Sequence, residues 1–345
     1  MKKSRFKNPY IIAETAYNHE GNLSYLYRMI DEISELQLNA IKFHILLNPD
    51  SYMTKNHPLF NVIKKWVFSA EQWDEIISYT NNKGLDIIAL CDDVESIIYI
   101  LKKKIHAIEL HSTSINDYFM LNHASKFTKK IILGIGGSSQ KEISYAIKFL
   151  KQKKKHDILL IYGYQSYPTN YEEINLSKMI TLRDFFQLPI GYADHTGFDD
   201  PNNELISVAA GMMGFEILEK HYTLDYGKKR IDYQAAVGKK QMETIKKLMG
   251  LALTIYGFTD KTMSKSEKIY GDTGPMKKAI IAKKNIKKGE KLSLNNLWFK
   301  RTAKKSSIKQ YQFLQLIGCR AKRNIKQDEI INFNNVNLKE VTNIL

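Results

Sequence analysis

Two stretches carry the reading of this chain: Gly191-Tyr192-Ala193-Asp194-His195-Thr196, and, one helix-length later, Ile217-Leu218-Glu219-Lys220-His221-Tyr222-Thr223. In each, a histidine follows a short apolar run bounded by turn-forming residues, the pattern of a buried strand. If the two strands are parallel neighbours, both histidines stand at the same, carboxyl end. Two imidazoles converging there can hold a divalent metal, and a carboxylate one loop away, Asp232, can join them. The alternative is two unrelated histidines that cap strands by hydrogen bonding, so the layout of the other strands has to decide.

Working outward, short apolar runs recur at Tyr10–Ala13, Ala40–Phe43, Leu85–Cys91, Ala107–Leu110, Ile131–Ile135, Ile158–Tyr162, Leu188–Tyr192 and Phe215–Leu218. Helical spacing fills most of the gaps. Leu23, Leu26, Tyr27, Ile30 and Ile33 make one face, Trp73, Ile76, Ile77 and Thr80 a second, and Ile143, Ala146, Ile147 and Leu150 a third. Met242, Ile245, Leu248, Met249, Ala252 and Ile255 give a closing helix. Eight strand–helix units over roughly 250 residues predict a (β/α)8 TIM barrel. A doubly wound open sheet competes, but no Gly-x-Gly-x-x-Gly follows the first strand. The domain reading is a barrel over 1–259, a linker over 260–275 and a small β-rich domain over 276–345. That last segment holds a repeat: Ala282-Lys283-Lys284-Asn285-Ile286 is echoed by Ala321-Lys322-Arg323-Asn324-Ile325, and each copy is followed by an Asn pair.

The 345 residues are 43% hydrophobic, enough for a large core, and no apolar run approaches the roughly 20 residues that span a membrane. No signal peptide is read at the amino terminus. Cys91 and Cys319 lie far apart and form no metal spacing, which fits a reduced, cytoplasmic protein. The formal net charge of +16 is spread over helices and turns rather than interleaved with aromatics, so a nucleic-acid partner is not expected.

Barrel enzymes place their sites at the carboxyl ends of strands. There the sequence puts Glu14, followed by Asn18-His19-Glu20-Gly21. Lys42 lies within the second strand, where a buried lysine is costly unless paired. Gln165-Ser166-Tyr167-Pro168-Thr169 forms a polar loop after the sixth strand, and Asp232 follows the eighth beside Lys228, Lys229 and Arg230.

Taken together, Ile12-Ala13-Glu14, Asn18-His19-Glu20-Gly21, Ile41-Lys42, Tyr167-Pro168-Thr169, Gly191-x-x-Asp194-His195-Thr196 and Leu218-Glu219-Lys220-His221-Tyr222-Thr223 resemble the sialic acid synthases. Asn296-Leu297-Trp298-Phe299-Lys300-Arg301 and Ile317-Gly318 resemble the antifreeze-like (SAF) domain of those enzymes. The resemblance runs collinearly over nearly the whole chain. It implies condensation of phosphoenolpyruvate with an N-acetylhexosamine such as N-acetylmannosamine, giving a nonulosonic acid. It implies a divalent metal on His195 and His221, Mn2+ in the first place and Mg2+ or Co2+ as alternatives, that polarises the sugar aldehyde. Glu14, Lys42 and Asp232 would be catalytic, with Lys42 on the phosphoenolpyruvate. Asn18, Gln165, Tyr167 and Arg301 would bind substrate, Arg301 reaching over from a partner subunit in a domain-swapped homodimer.

The departures from the family cluster where phosphate should bind. Glu109-Leu110-His111-Ser112 stands where a lysine is usual, Gly134-Ile135-Gly136-Gly137 where a Ser-Thr-Gly turn is, and Ala193 where a serine is. At an effective dielectric near 20, exchanging attraction for repulsion at about 4 Å costs several kcal/mol. Either Gly136, Gly137, Lys229 and Arg230 form a replacement anion site, or the donor has changed and the reaction is an aldolase or lyase step. A carbohydrate-binding scaffold without turnover is the non-enzymatic reading.

Overall fold

The apolar runs become strands that pair in sequence order. They are β1 (Tyr10–Glu14), β2 (Ala40–Ile45), β3 (Asp86–Cys91), β4 (Ala107–Leu110), β5 (Lys130–Gly134), β6 (Ile158–Tyr162), β7 (Ile190–Asp194) and β8 (Ile217–His221). Each pairs in parallel with the next, and β8 pairs with β1, which closes the barrel. This computed structural model describes residues 8–164, 166, 169–257 and 262–336. The chain divides into two compact units, residues 1–258 and 259–345.

Alternation along the strands sorts the barrel into two apolar layers. Ile11, Ala13, Ile41, Phe43, Ile87, Ala89, Ile108 and Ile131 belong to the core that the surrounding helices share. Ile12, Ala40, Ile88, Ala107, Ile132, Leu159, Ile161 and Ala193 form a separate buried cluster. Burial on both faces explains why the strands read as unbroken apolar runs. The helices lie where the spacing predicts them, at Leu23–Glu35, Ala70–Asn82, Gln140–Gln152 and Lys239–Tyr256. Their starts are chemically marked. Asn22 accepts from the Tyr25 amide, and Ser69 with Gln72 and Ser139 with Glu142 form reciprocal capping boxes.

β7 and β8 extend past the apolar runs Leu188–Tyr192 and Phe215–Leu218, to Asp194 and His221. The extra residues are buried without being apolar. Lys220 and Asp194 are fully buried and meet at 2.6 Å, and Asp194 also accepts from Ser207 at 2.6 Å and from the Thr196 hydroxyl at 2.6 Å. Burial alone would raise the Asp194 carboxyl, but Lys220 and these hydroxyls outweigh it and push it down to about 2.

In the second unit β9 (Ala279–Ala282) pairs antiparallel with β10 (Leu297–Lys300). The sequence repeat has a structural counterpart. Ile286 bridges Ile325, and each copy caps a turn of the other: the Lys288 amide donates to Asn324 and the Gln327 amide to Asn285, both at 2.8 Å. The second Asn of each pair, Asn296 and Asn335, is buried and bonded to backbone. A short helix, Lys265–Tyr270, with its own capping box, lies within the stretch read as linker. Its polar sequence hid it, since no residue of that helix is buried.

Candidate active site

The strand register assembles the site before any side chain is considered. Glu14 on β1 lies opposite Lys42 on β2 on one side and His221 on β8 on the other. Period-two alternation then turns Glu14, Lys42, His44, Glu109, Glu219 and His221 toward the same interior. They line a cavity of about 340 Å³ that is completed by His111, Ser112, Thr113, Gly134, Gly136, Gly137, Ile161, Gly163, Tyr164, Ala193 and His195.

Lys42 is the centre of this cavity's charge. Its Nζ lies 2.5 Å from Glu14 Oε2, 2.7 Å from Glu219 Oε1 and 3.1 Å from Glu109 Oε1. All four side chains are buried. Burial disfavours the ammonium, yet Glu109, Glu14 and Glu219 together hold its pKa well above the usual lysine value. Glu14 is held well below the usual carboxylate range, because Lys42 and then His44 outweigh its burial. Glu109 is raised by burial, resisted by Lys42 and helped by Glu14. Glu219 is raised far more, by burial against Lys42 and by the charges of Glu14 and Glu109.

His44 extends the network. Its Nε2 lies 2.8 Å from Glu14 Oε1 and its Nδ1 lies 3.4 Å from Asp92 Oδ2, which also accepts from the Tyr17 hydroxyl at 2.7 Å. Burial opposes its protonation, but Asp92 and then Glu14 push its pKa up to about 10, so His44 is a cation. The other histidines of the cavity are the opposite. Burial pushes His195 down to about 4, His221 to about 3 and His111 to about 4.

His195 and His221 are brought together, with ring centroids 5.2 Å apart. Two neutral imidazoles side by side are suitable metal ligands, since a ligating imidazole must be unprotonated. Among the described residues no third His, Cys, Asp or Glu completes a three-residue metal cluster. Both oxygens of Glu14 are already taken, by Lys42 and His44. His195 and His221 are therefore the two residues of this cavity that would hold a divalent ion.

Of the other residues singled out in the sequence, Asn18 does not reach the cavity. Its amide donates to the Ile231 carbonyl at 3.1 Å and accepts from the Tyr25 hydroxyl at 3.0 Å, bracing the loop after β8 against that after β1. Asp232 is also absent from the lining. It adopts a left-handed conformation at φ 57° and opens the short turn Tyr233–Ala235. Gln165 and Tyr167 lie outside the described residues. Arg301 is exposed in the second unit, where its guanidinium donates to the Pro275 carbonyl at 2.9 and 2.5 Å. The replacement anion site loses its cations. Lys229 is exposed and outside the lining, while Arg230 pairs with Asp225 at 2.8 Å and Glu20 at 3.3 Å and packs over the Tyr25 ring.

His44, Glu219 and His111 were missed as cavity residues. The signal for two of them was present. Once Lys42 and His221 are placed facing inward, their neighbours two residues away, His44 and Glu219, must face inward too.

The model of the NeuB family matches residues 29–260, about two thirds of the sequence. The chain belongs to the NeuB family. A SAF domain follows at residues 277–337. An uncharacterized protein of Methanocaldococcus jannaschii is 30% identical over 93% of this chain and 92% of its own. The N,N'-diacetyllegionaminic acid synthase of Campylobacter jejuni is 28% identical over 94% of this chain and 99% of its own. Among solved structures, an N-acetylneuraminic acid synthetase of Leptospira borgpetersenii, in complex with citrate, is 29% identical. It superposes with a TM-score of 0.70 over 76% of this chain and 90% of its own. A putative spore coat polysaccharide biosynthesis protein of Chromobacterium violaceum, 20% identical, matches the fold with a TM-score of 0.83 over 95% of this chain and 99% of its own. The NeuB family and its sialic-acid-type synthases thus account for the closed barrel and the SAF unit together.

Proposed function

We propose that this NeuB-family barrel is a carbon–carbon bond-forming enzyme that joins a three-carbon donor to the open-chain aldehyde of an N-acetylhexosamine, of the N-acetylmannosamine type, to make a nonulosonic acid. One observation carries the reading: two neutral imidazoles, His195 and His221, share a cavity with the Glu14–Lys42–His44 charge network.

The chain's own residues divide the work. His195 and His221 would hold a divalent ion, Mn2+ first, which when bound supplies Lewis-acid polarisation of the aldehyde. Lys42 and His44 are the two cations of the lining and attract the carboxylate of the donor. Glu14, ionised and bonded to both, fixes their positions rather than moving a proton. Ser112, Thr113 and Tyr164 offer hydroxyls to a polar substrate. Arg301, exposed in the SAF unit, is the residue that the resemblance assigns to the N-acetyl group from a second copy.

The test is calorimetric titration of Mn2+ into the protein and into His195→Ala and His221→Ala, with mass spectrometry of reactions containing a three-carbon donor and a panel of N-acetylhexosamines. Metal binding should be lost in both variants, and an adduct carrying three more carbons should form only with the unaltered chain. Unchanged metal binding in both variants, or no adduct with any sugar, defeats the proposal.

A further inference from the structure

The outer wall of the barrel carries aromatic rings that the core has not taken up. Tyr118 and Phe119, in the first turn of the helix Tyr118–Ala124, are 55% and 65% exposed, and Tyr145, on the helix Gln140–Gln152, is 48% exposed. They form one connected patch through Phe149. The Tyr118 ring meets Phe119 at 5.6 Å and Phe149 at 5.8 Å, both edge to face, and Tyr145 lies 6.4 Å from Phe149. Helical spacing explains why Tyr145 stands outside. Ile143, Ala146, Ile147 and Leu150 take the buried face of their helix, which leaves Lys141, Tyr145, Lys148 and Gln152 on the opposite crest. A water-facing surface seldom gathers large rings in this way without a partner.

Charge narrows the choice of partner. Residues 94–156 hold twelve lysines, no arginine and four acids. Half of the chain's net charge of +16 thus falls within less than a fifth of its length. Of the acids, Glu109 is buried in the cavity, while Asp117 and Glu142 are bonded to backbone amides at helix starts. The fold sets lysines beside the rings: Lys153 Nζ is 5.8 Å from the Phe149 ring, and Lys141 and Lys148 lie a turn to either side of Tyr145. A second copy of this face would set lysine against lysine. A nucleic acid would stack its bases on open ring faces and favour arginine on its phosphates, whereas Tyr118 is packed edge to face with both its neighbours. Lysine is a compact point charge with no fixed docking geometry, suited to a field of anionic headgroups. Tyrosine, apolar in its body and polar at its tip, suits the boundary between water and lipid.

We propose that this wall docks the protein on an anionic phospholipid surface, with Tyr118, Phe119 and Tyr145 entering the headgroup layer and the lysines lying over its phosphates. The attachment is peripheral and rests on rings and charges together, so salt weakens it.

The experiment is sedimentation of the full chain with vesicles of phosphatidylcholine alone and of phosphatidylcholine mixed with phosphatidylglycerol, at about 0.15 M salt. The unaltered chain should bind the mixed vesicles and not the neutral ones. Each lysine facing an anionic surface is worth about fivefold in partitioning, so Lys141→Gln with Lys148→Gln should weaken binding about 30-fold. Tyr118→Ser with Phe119→Ser should weaken it about tenfold or more, the scale for returning a large apolar side chain to water. The control is Lys240→Gln with Lys247→Gln, on the helix Lys239–Tyr256 that follows β8, four strands round the closed barrel from β4. It should change binding by less than about twofold, since charges far from the membrane are screened. All the substituted side chains are exposed, so thermal unfolding should be unchanged. Absence of vesicle binding, equal binding to both kinds of vesicle, full binding by the ring variant, or equal losses from the two lysine pairs each overturns the proposal. A homodimer or a complex with single-stranded RNA that the ring variant abolishes, with no vesicle binding by the unaltered chain, assigns the wall to that partner instead.

Discussion

Replacing Lys42 with Met deletes one charge and little volume, and it should unmask how the barrel mouth is held together. The ammonium is the shared partner of Glu14, Glu109 and Glu219 at 2.5 to 3.2 Å, and all four groups are buried. Removing one member of a buried ionic group costs about 3–5 kcal/mol, because the remaining charges stay desolvated without compensation. The cost should depend on pH, with a definite sign. Without Lys42, Glu109 and Glu219 are raised further above their unfolded values, and Glu14 loses the largest charge that holds it down. A carboxyl with a raised folded pKa binds more protons in the native state, so stability falls as pH rises past the unfolded value. Each additional unit of upward shift contributes about 1.4 kcal/mol of that loss. Urea unfolding of Lys42→Met and the unaltered chain at pH 5 and pH 8 measures this directly. The variant should lose about 3–5 kcal/mol at pH 8 and distinctly less at pH 5, and adding Glu109→Gln should recover part of the deficit at pH 8. A loss below about 1 kcal/mol, or one that is the same at both pH values, refutes the view that Lys42 is a shared counter-charge.

Other outcomes test the frame around the cavity. Gly136→Ala should be severely destabilising and should disturb the β5–β6 rim, because its Cβ would stand 1.9 Å from the Gly163 carbonyl oxygen; Gly137→Ala, with φ at +70° and open space, should cost only about 1 kcal/mol, and thermal unfolding compares the two. Lys220→Met should cost about 3–5 kcal/mol at neutral pH, since it strands Asp194. The depressed Asp194 pKa means that its stabilisation is present above the unfolded value near 3.8 and lost as pH falls toward about 2, so the variant and the unaltered chain should converge in acid unfolding. Asn18→Ala should lower stability by about 1–3 kcal/mol with little change in KM for the acceptor, as expected of a loop brace rather than a substrate ligand.

The barrel was legible because its signals are local and redundant. Strands buried on both faces must be apolar over short runs, and amphipathic helices of set length must lie between them, so periodicity and order are enough to predict a closed (β/α)8 sheet. The pairing of His195 with His221 was legible for the same reason, since adjacent parallel strands bring equivalent ends together. Glu109 was harder to read. In the sequence it is a carboxylate where a phosphate-binding lysine is usual, and it reads as repulsion. In the folded chain it is one of three acids gathered around a single ammonium.

What the sequence determined by itself was therefore the architecture, the two-unit organisation and the end of the barrel at which chemistry gathers, because each follows from spacing along the chain. What only the tertiary structure decided was the charge state and freedom of each group there. Asn18 and Arg230 were drawn away into loop braces, His44 became a cation, and Lys42 was enclosed by Glu14, Glu109 and Glu219. Those outcomes depend on distances of a few ångströms between residues from different strands in a desolvated interior, where electrostatic energies are large and no one-dimensional pattern records them.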